Sequence, residues 1–572
     1  MRYLIFLLLG TSILFHSCQQ AATVTDASIY QINKNITEDS AMVVSAHPLA
    51  SDVGAEILAK GGNAVDAVIA VQFALAVVYP RAGNIGGGGF MVIRQADGAI
   101  DALDYREKAP AAASRDMYLD EEKEVVKGLS TIGHLASGVP GTVAGMWEAH
   151  QKCGKLEWAE LVRPAYELAK DGFRLSDTET KRLNRFQSYF KEYNTTENVF
   201  TKQDTFLKGF NLVQSELATT LKLIQEQGKE GFYQGKTAEL LVAEMERGEG
   251  IITLEDLKNY DAKWREPITA DYKNYRLISM PPSSSGGIAV AQMLKMLEGY
   301  PLSDYGFHTP ESVHLMAEVE RRAFADRSKH LGDSDFYNVP TEELLSDEYL
   351  RERMADYDEY YPTSSDSIGG GEFEVVLESF ETTHTSIVDA ERNAVSVTTT
   401  LNSNYGSKVV VGGAGFFLNN EMDDFSSKPG VPNQFGLVGA EANAIQPGKR
   451  MLSSMTPSIL EKDGKLFMVV GAPGGSTIIT AVLQTMLNVI EFDMDLNDAV
   501  QVGRFHHQWR PDEIWIEKRN FPSIVKDSLE ARGYQFRELE RMAIIKAIQV
   551  LPNGDLNGVG DVRNPDDDAE GF

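Results

Sequence analysis

The chain has 572 residues, of which 43% are hydrophobic, and its formal net charge is −29 with a pI of about 4.8. This length and apolar content can form one large core or two moderate ones. So large an excess of carboxylates opposes binding to nucleic acid or to an anionic membrane surface, so no nucleic-acid partner is expected. The composition suits a soluble protein or an enzyme acting on small molecules.

The N-terminus has the pattern of an export signal. Residues 1–18 carry one positive charge, then an apolar run that is short for a membrane span, and they end at Cys18. They are predicted to be a lipoprotein-type signal peptide with Cys18 as the lipidated residue; ordinary cleavage near Ala21 is the alternative. Residues 19–40 are polar and are predicted to be a tether. The protein is therefore expected to be exported, and to be periplasmic or lipid-anchored to a bacterial membrane.

The body begins with two predicted helices and a glycine-rich loop. Residues 49–60 are amphipathic, and residues 63–78 are apolar nearly all round, which predicts a helix buried against a sheet. The glycines of residues 83–90 are interpreted as sites of close backbone packing. A phosphate cradle is the alternative, but the Lys-Ser or Lys-Thr pair that it needs does not follow. A strand hairpin is predicted around residues 96–98.

The middle and the end of the chain differ in their predicted structure. Residues 141–366 are predicted to be mostly helical. After residue 382 strands dominate, with hairpins around 462–464 and 552–554 and a long helix at 476–492 between them. Strands at both ends and helices between them predict a layered α/β sandwich whose sheets use both halves of the chain.

Thr382 is the most informative position, because a loose segment meets a predicted strand there. Residues 361–371 are rich in Gly and Ser and are predicted to be an exposed linker, whereas residues 384–389 and 393–400 have strand character. If the chain is cut before Thr382, this residue gains a free α-amine beside its own hydroxyl. Nucleophile and base are then present in one residue.

The strand register brings a second hydroxyl to Thr382. If residues 389–393 form a hairpin loop, Val388 faces Ala394 and Thr382 faces Thr400. Directly opposed residues in an antiparallel pair have Cβ atoms roughly 4.5–5.5 Å apart, so the two hydroxyls can meet. The alternative is that Thr400 is an ordinary β-branched strand residue without a chemical role.

A strand-to-helix turn provides candidate oxyanion donors. A predicted buried strand runs into Gly474 and Gly475, and a helix follows. Glycines at the start of a helix expose backbone N–H groups that no side chain shields, which is what a developing oxyanion requires. A tight structural turn is the alternative interpretation.

Two polar segments complete the candidate chemistry. The loop at residues 419–425 is rich in acidic and amide side chains, but it lacks the ligand spacing of a metal site, so no metal is predicted. Ser453 and Ser454 offer hydroxyl donors that suit a carboxylate. Ser453 and Ser454 are therefore candidates for binding a carboxylate.

Seven separated motifs link these segments to a known family. They are Ala82–Phe90, Asp104–Pro110, Thr382–His384, Leu418–Ser426, Leu452–Pro457, Pro473–Ser476 and Arg504–His507. In this order they resemble gamma-glutamyltransferase (gamma-glutamyltranspeptidase, glutathione hydrolase), of the N-terminal nucleophile hydrolase superfamily, from about His47 to Phe572. The resemblance implies a four-layer αββα sandwich formed by a large subunit (41–381) and a small catalytic subunit (382–572). It implies no cofactor.

The resemblance also implies catalytic roles. Thr382 matches the catalytic threonine, so autocatalytic cleavage is expected between Glu381 and Thr382. Thr400 matches the residue that bonds to the nucleophile, in agreement with the register argument. Gly474 and Gly475 match the oxyanion donors. The expected reaction passes a γ-glutamyl group through a Thr382 ester to water or to an amino-acid or peptide acceptor.

Substrate contacts follow from the same resemblance. Arg106 matches the clamp for the α-carboxylate, for which a planar guanidinium is suited, and Ser453 and Ser454 add donors to the same group. The residues matched to the α-ammonium are Asn402, Glu421 and Asp424. His384 is not expected to act as the base, because two residues along a strand place it roughly 6.6 Å from Thr382.

One departure concerns the predicted lid at residues 429–437. In some bacterial relatives an aromatic hydroxyl closes this lid over the pocket, whereas the matching residue here is Phe435, which cannot donate a hydrogen bond. Closure is therefore expected to depend on packing. Hydrolysis is the expected outcome, because an exported enzyme meets water in excess.

Three alternative functions are kept open. Two are related amidases, a cephalosporin acylase and a poly-γ-glutamate-cleaving enzyme, which would share the nucleophile but differ in the acyl group. Arg106 with Ser453 and Ser454 favours a free γ-glutamyl end. The third is an inactive exported binding protein, which predicts one uncut chain.

Overall fold

Two seven-stranded antiparallel sheets face each other at the centre of the molecule. The structure is a computed structural model, and it describes residues 29–368, 382–428, 430–434, 436–518 and 520–572. The predicted signal peptide with Cys18, the beginning of the predicted tether, and the residues Glu381 and Phe435 lie outside this part of the chain.

The strands of the described residues are β1 Asn35–Glu38, β2 Met42–Ser45, β3 Gly88–Arg94, β4 Ile100–Asp104, β5 Phe173–Arg174, β6 Asn211–Leu212, β7 Lys263–Arg265, β8 Ile268–Tyr272, β9 Tyr275–Ser279, β10 Thr383–Val388, β11 Ala394–Thr400, β12 Ser458–Lys462, β13 Lys465–Gly471, β14 Phe505–His506, β15 Ile514–Glu517, β16 Phe536–Leu539, β17 Lys546–Val550, β18 Leu556–Gly560 and β19 Asp568–Gly571.

The helices are α1 Pro48–Ala59, α2 Ala64–Val78, α3 Thr142–Cys153, α4 Trp158–Asp171, α5 Asp177–Tyr193, α6 Ser215–Gln227, α7 Glu230–Tyr233, α8 Gly235–Arg247, α9 Leu254–Lys258, α10 Gly286–Leu297, α11 Leu302–Tyr305, α12 Pro310–His330, α13 Thr341–Leu344, α14 Asp347–Arg353, α15 Thr477–Ile490, α16 Leu496–Gln501 and α17 Ser523–Arg532. Among the described residues, none of these helices combines the length and the apolar character needed to cross a bilayer.

Each sheet contains strands from both predicted subunits. One sheet has the order β1-β18-β17-β13-β12-β9-β8, and the other has the order β19-β2-β10-β11-β3-β4-β7. Helices α10 and α15 contact the first sheet, while α1 and α2 contact the second, and β10 and β11 face β13 across the interior. The layers therefore run helix, sheet, sheet, helix, which confirms the predicted αββα sandwich.

Helix α2 shows why the sequence forms this outer layer. Asn63 caps the helix by accepting from the N–H of Asp66, and the Asp66 carboxylate accepts from the N–H of Asn63. Every residue of α2 is buried, and the helix packs between the second sheet and α4. The prediction of a helix apolar on all sides and buried against a sheet is confirmed.

The segment 141–366 is mostly helical, as predicted, but it also contains the strands β7, β8 and β9. These strands join the edges of both sheets, so their stability comes from pairing with distant strands rather than from a long local pattern. The predicted tether is also too long, because Asn35–Glu38 forms β1 and pairs with β18.

Candidate active site

Thr382 lies at the start of β10, in the middle of the second sheet. Strands β10 and β11 pair with Val388 opposite Ala394 and Thr383 opposite Thr399, so the predicted register is confirmed. The Thr382 Oγ1 atom donates to Thr400 Oγ1 at 3.5 Å. The Thr400 hydroxyl also accepts from the backbone N–H of Asn402 at 2.7 Å, which fixes its position beside the nucleophile.

Nine of the ten predicted catalytic and substrate-binding residues line one cavity. The exception is Gly474, which is in the chain turn that forms part of its wall. The full lining consists of Arg106, Arg327, Thr382, Thr400, Asn402, Glu421, Asp424, Leu437, Leu452, Ser453, Ser454, Met455, Gly475 and Ile478. Polar residues from both predicted subunits therefore meet around the Thr382 hydroxyl.

Arg106 is buried and is held by carboxylates. Its Nη1 atom is 2.6 Å from Glu421 Oε2 and 3.5 Å from Glu107 Oε2, and its Nη2 atom is 2.5 Å from Asp424 Oδ2. Burial alone would lower the pKa of Arg106, but these carboxylates outweigh it and leave the pKa above its ordinary value. The predicted carboxylate clamp is therefore charged and already carries ion pairs within the protein.

The three carboxyl groups around Arg106 share one cation. Burial raises the pKa of Glu107 to about 8 and raises the pKa values of Glu421 and Asp424, while Arg106 acts in the opposite direction on all three. Glu107 contacts Arg106 from the side away from the cavity lining. The cavity thus presents carboxylates that are poorly compensated and are suited to a cationic group of a ligand.

Asn402 adopts a backbone conformation that is uncommon for a residue with a side chain. Its φ is +76°, in the left-handed region, which asparagine tolerates better than most residues. Its Nδ2 atom donates to the backbone oxygen of Asn420 at 3.0 Å, which holds the amide at the cavity wall. The Oδ1 atom remains as an acceptor, consistent with the predicted contact to an α-ammonium.

The turn between β13 and α15 requires glycine. Gly474 has φ +147° and Gly475 has φ +56°. A Cβ atom on Gly474 would lie 2.6 Å from Ala543 Cα and 2.7 Å from Ala543 Cβ, so the backbone passes too close for any side chain. Within the described residues neither N–H group of the two glycines has an acceptor. Two backbone donors at a helix N-terminus are therefore available to an anion.

Ser453 and Ser454 line the same cavity as the carboxylates. The Ser453 Oγ atom accepts from the N–H of Met455 at 3.1 Å. The Ser454 Oγ atom accepts from Arg327 Nη2 at 3.2 Å. Sequence reasoning missed Arg327, which lies in α12 within the segment predicted to be mostly helical.

His384 does not contact Thr382 in the structure. Its ring is fully buried, with Nδ1 2.8 Å from Thr398 Oγ1 and Nε2 3.1 Å from Ser386 Oγ. Burial, with a smaller contribution from Lys546, lowers the pKa of His384 well below its usual range. The ring is a neutral structural group between the two sheets, as the spacing argument predicts.

The remaining predictions concern the lid and a metal site. Phe435 is not among the described residues, but two hydrogen bonds hold the predicted lid on either side of it. The N–H of Gln434 donates to Asp423 Oδ2, and the N–H of Leu437 donates to Asn433 Oδ1. Leu437 itself lines the cavity. In the described part of the chain no group of three or more His, Cys, Asp or Glu residues is placed to hold a metal ion.

Comparisons with known proteins agree with this geometry. The model of the Gamma-glutamyltranspeptidase family matches residues 50–571. The glutathione hydrolase proenzyme of Escherichia coli strain K12 is 44% identical over 98% of both chains. The crystal structure of Helicobacter pylori gamma-glutamyltranspeptidase has a TM-score of 0.56 and 42% identity, over 59% of this chain and 96% of that one. The cephalosporin acylase from Bacillus halodurans has a TM-score of 0.81 and 26% identity, over 96% and 99% of the two chains.

Proposed function

The chain belongs to the gamma-glutamyltranspeptidase family and has its autoprocessed gamma-glutamyltransferase and glutathione hydrolase activity, and we propose that Thr382 carries that activity. The observation that carries the proposal is the cavity itself. Its lining combines the Thr382 hydroxyl, buried carboxylates that are ion-paired with the Arg106 guanidinium, and the two serine hydroxyls of Ser453 and Ser454. A γ-glutamyl group has an α-ammonium and an α-carboxylate, and both need such partners.

The first step is cleavage of the precursor before Thr382. The Thr382 hydroxyl attacks the carbonyl carbon of Glu381, the C–N bond breaks as the C–O bond forms, and the nitrogen takes the proton. Water then hydrolyses the resulting ester. The products are a large subunit that ends at Glu381 and a small subunit that begins at Thr382 with a free α-amine. Both sheets contain strands from each, so the two subunits remain together as a heterodimer.

Turnover uses the same hydroxyl. The α-amine of Thr382 accepts the hydroxyl proton while the oxygen attacks the γ-carbonyl of the substrate. The N–H groups of Gly474 and Gly475 stabilise the oxyanion, and Thr400 orients the nucleophile through the 3.5 Å contact. The amine leaves with a proton, and water or an amino-acid or dipeptide acceptor releases the γ-glutamyl group. Hydrolysis predominates because water is in excess.

Recognition of the γ-glutamyl group uses two sets of residues. The α-carboxylate binds Arg106 together with Ser453 and Ser454, and the planar guanidinium is suited to two parallel hydrogen bonds. The α-ammonium binds three acceptors in the same cavity: Asn402, Glu421 and Asp424. A glutaryl group, the acyl group of a cephalosporin side chain, has no ammonium, so its carboxylate would compete for Arg106 while nothing replaced Arg106 at Glu421 and Asp424. This favours a γ-glutamyl substrate over the acylase alternative.

A cleavage assay tests the proposal. We expect the purified wild-type chain to give two bands, with the smaller fragment beginning Thr-Thr-His-Thr-Ser, whereas Thr382→Ala gives one band near the precursor mass of 63.1 kDa less the signal. Thr383→Ala is the matched control, because its buried hydroxyl has no hydrogen-bond partner in the described residues and successive strand residues face opposite sides. This control should be cut normally. An uncut wild-type chain that still hydrolyses glutathione would refute the mechanism.

A substrate comparison separates the related functions. The wild-type enzyme should hydrolyse a γ-glutamyl anilide at least about tenfold faster than the matching glutaryl anilide, because a buried charge left unpaired costs more than about 1.4 kcal/mol. Equal rates would favour the acylase function. If the enzyme is processed into two subunits and cleaves neither anilide but shortens poly-γ-glutamate, the result would favour the function of a poly-γ-glutamate-cleaving enzyme.

Export and lipid anchoring form a separate part of the proposal. The support is the sequence pattern of residues 1–18, which ends at Cys18. In a bacterial host the wild-type protein should fractionate with membranes, and Cys18→Ser should move it to the soluble exported fraction without loss of specific activity. Unchanged fractionation of Cys18→Ser would leave ordinary signal cleavage as the correct interpretation.

A further inference from the structure

Arg327 is a buried cation in the wall of the active-site cavity. It lies near the end of α12 and is 5% exposed. Its Nε atom donates to Ser285 Oγ at 3.0 Å, and its Nη2 atom donates to Ser454 Oγ at 3.2 Å. In the described part of the chain no carboxylate forms an ion pair with it. Its hydrogen-bond partners there are two neutral hydroxyls.

The two arginines of the cavity therefore differ in charge balance. Arg106 is paired with carboxylates, whereas Arg327 has only the more distant attraction of Asp424. Burial lowers the pKa of Arg327 to about 10, so the group keeps its charge at neutral pH. A buried and unbalanced cation is costly, and an anion that enters the cavity removes that cost. The uncompensated cation is thus an attractor for an anionic group of the substrate.

Arg327 also determines what Ser454 can do. A serine hydroxyl has one hydrogen to donate and lone pairs that accept. Because Arg327 has no acceptor atom, Ser454 must accept from it, and the hydroxyl hydrogen is left for another partner. Ser285 is placed in the same way, since it accepts from Arg327 and donates to the backbone oxygen of Ser453 at 2.6 Å. Arg327 therefore fixes the positions of Ser285 and Ser454, and it leaves the hydroxyl hydrogen of Ser454 to be donated into the cavity.

We propose that Arg327 is a specificity-determining residue that selects substrates with a free α-carboxylate. It does so by balancing the charge of that group and by keeping Ser454 as a hydrogen-bond donor to it. Arg106 alone is not sufficient, because the carboxylates of Glu421 and Asp424 already offset its charge. The inference rests on the proposed function, since it concerns the α-carboxylate of the same γ-glutamyl group.

The test compares two substrates on four proteins. The substrates are γ-glutamyl-p-nitroanilide and the same anilide with its α-carboxylate converted to an α-amide. The proteins are the wild type, Arg327→Gln, Arg327→Lys and Lys329→Gln. The last is the matched control, because it removes one positive charge from an exposed position of the same helix. Cleavage into two bands and the thermal unfolding temperature are recorded for each, and kcat and KM are measured per cleaved enzyme.

The expected result is a change in discrimination rather than in rate. In Arg327→Gln, KM for the carboxylate substrate should rise about tenfold to a hundredfold, the range for losing a hydrogen bond to a charged group, while kcat changes much less. KM for the α-amide should stay unchanged, so the preference for the carboxylate falls by the same factor. Arg327→Lys should keep part of the preference, because an ammonium retains the charge but lacks the planar fork that reaches Ser285 and Ser454 together. Lys329→Gln should match the wild type.

The other outcomes decide whether Arg327 selects for the α-carboxylate. If Arg327→Gln keeps the wild-type preference for the carboxylate, or loses activity on both substrates equally, Arg327 has only a structural role. If Arg327→Gln stays uncut, Arg327→Lys decides: a preference reduced at least about threefold supports the inference, and an unchanged preference overturns it. A wild-type enzyme that hydrolyses neither substrate refutes the proposed function and the inference together.

Discussion

Replacement of Gly474 by alanine tests the oxyanion role of the β13–α15 turn. The new Cβ would lie 2.6 Å from Ala543 Cα, 2.7 Å from Ala543 Cβ and 3.0 Å from Thr477 Oγ1, at a φ of +147°. Two of these contacts are with atoms that cannot rotate away, so the turn itself must move. Because oxyanion donors work only at hydrogen-bond distance from the developing charge, a shift of part of an ångström is enough to weaken them.

The magnitude follows from two separate costs. Alanine in a left-handed conformation costs about 1–2 kcal/mol of stability, and overpacking adds roughly 1–3 kcal/mol. The catalytic cost is that of a lost oxyanion donor, about 2.7–4 kcal/mol, or a fall of about a hundredfold to a thousandfold in kcat. Precursor cleavage should slow as well, since its tetrahedral intermediate carries the same negative charge.

The assay must separate a lost donor from a lost fold. Gly98→Ala is the control, because Gly98 has a φ of +90° in the hairpin between β3 and β4, with nothing within 4 Å of its Cβ position. It should share the conformational cost and keep the wild-type kcat. Active sites are counted from the first-turnover burst of p-nitroaniline, so that unfolded or uncut chains do not enter kcat. A Gly474→Ala enzyme whose kcat is within about threefold of the control would refute the oxyanion assignment.

Three further predictions concern the groups around the nucleophile. Arg106→Lys should raise KM for γ-glutamyl-p-nitroanilide about tenfold or more, because an ammonium cannot make the two-pronged contact; an unchanged KM in steady-state kinetics would contradict this. Burial raises the pKa of Glu107 to about 8, so this group binds its proton more tightly in the folded state than in the unfolded state. The stability that this difference contributes is complete below about pH 4.5 and is lost as the pH rises to 8. Between pH 5 and pH 8 the thermal unfolding temperature of Glu107→Gln should therefore fall less than that of the wild type. Unfolding temperatures that fall in parallel for the two proteins would disprove this role of Glu107. Thr400→Val should slow precursor cleavage roughly tenfold on a timed gel, because the Thr382 hydroxyl loses its acceptor, and a wild-type rate would exclude that role.

The sequence predicts the neighbour of Thr382 well because a short hairpin fixes a strand register. Once residues 389–393 are taken as the loop, the partner of every residue in β10 follows by counting, and Thr400 lies where the count places it. The buried helix α2 is predictable for a similar reason, since its apolar surface and its cap are both local. The short strands β7 to β9 are not, because they are stabilised by pairing with residues far away in the chain.

The role proposed for Arg327 could not be predicted from local sequence patterns. The end of its helix is favoured by the basic residues Arg327, Lys329 and His330 in the last turn, which complement the helix dipole, so a basic residue there has an ordinary structural explanation. Its importance appears only when α12 is placed against Ser285 and Ser454, which belong to separate loops. The same holds for the carboxylates around Arg106, whose proximity no spacing in the sequence encodes.

The ion pairs among the residues that line the cavity explain how the site can prefer a zwitterionic substrate. Arg106 is ion-paired with the carboxylates of Glu421 and Asp424 before a ligand enters. The α-ammonium of an incoming ligand pairs with the carboxylates in place of Arg106, and the α-carboxylate of the ligand pairs with Arg106 in place of those carboxylates. The exchange leaves every buried charge with a partner only when the ligand carries both groups. A ligand with one of them breaks an internal pair without replacing it, which is the costly case for buried charges. Discrimination therefore arises from the protein groups that a wrong substrate would leave unpaired, and Arg327 extends it to the carboxylate side.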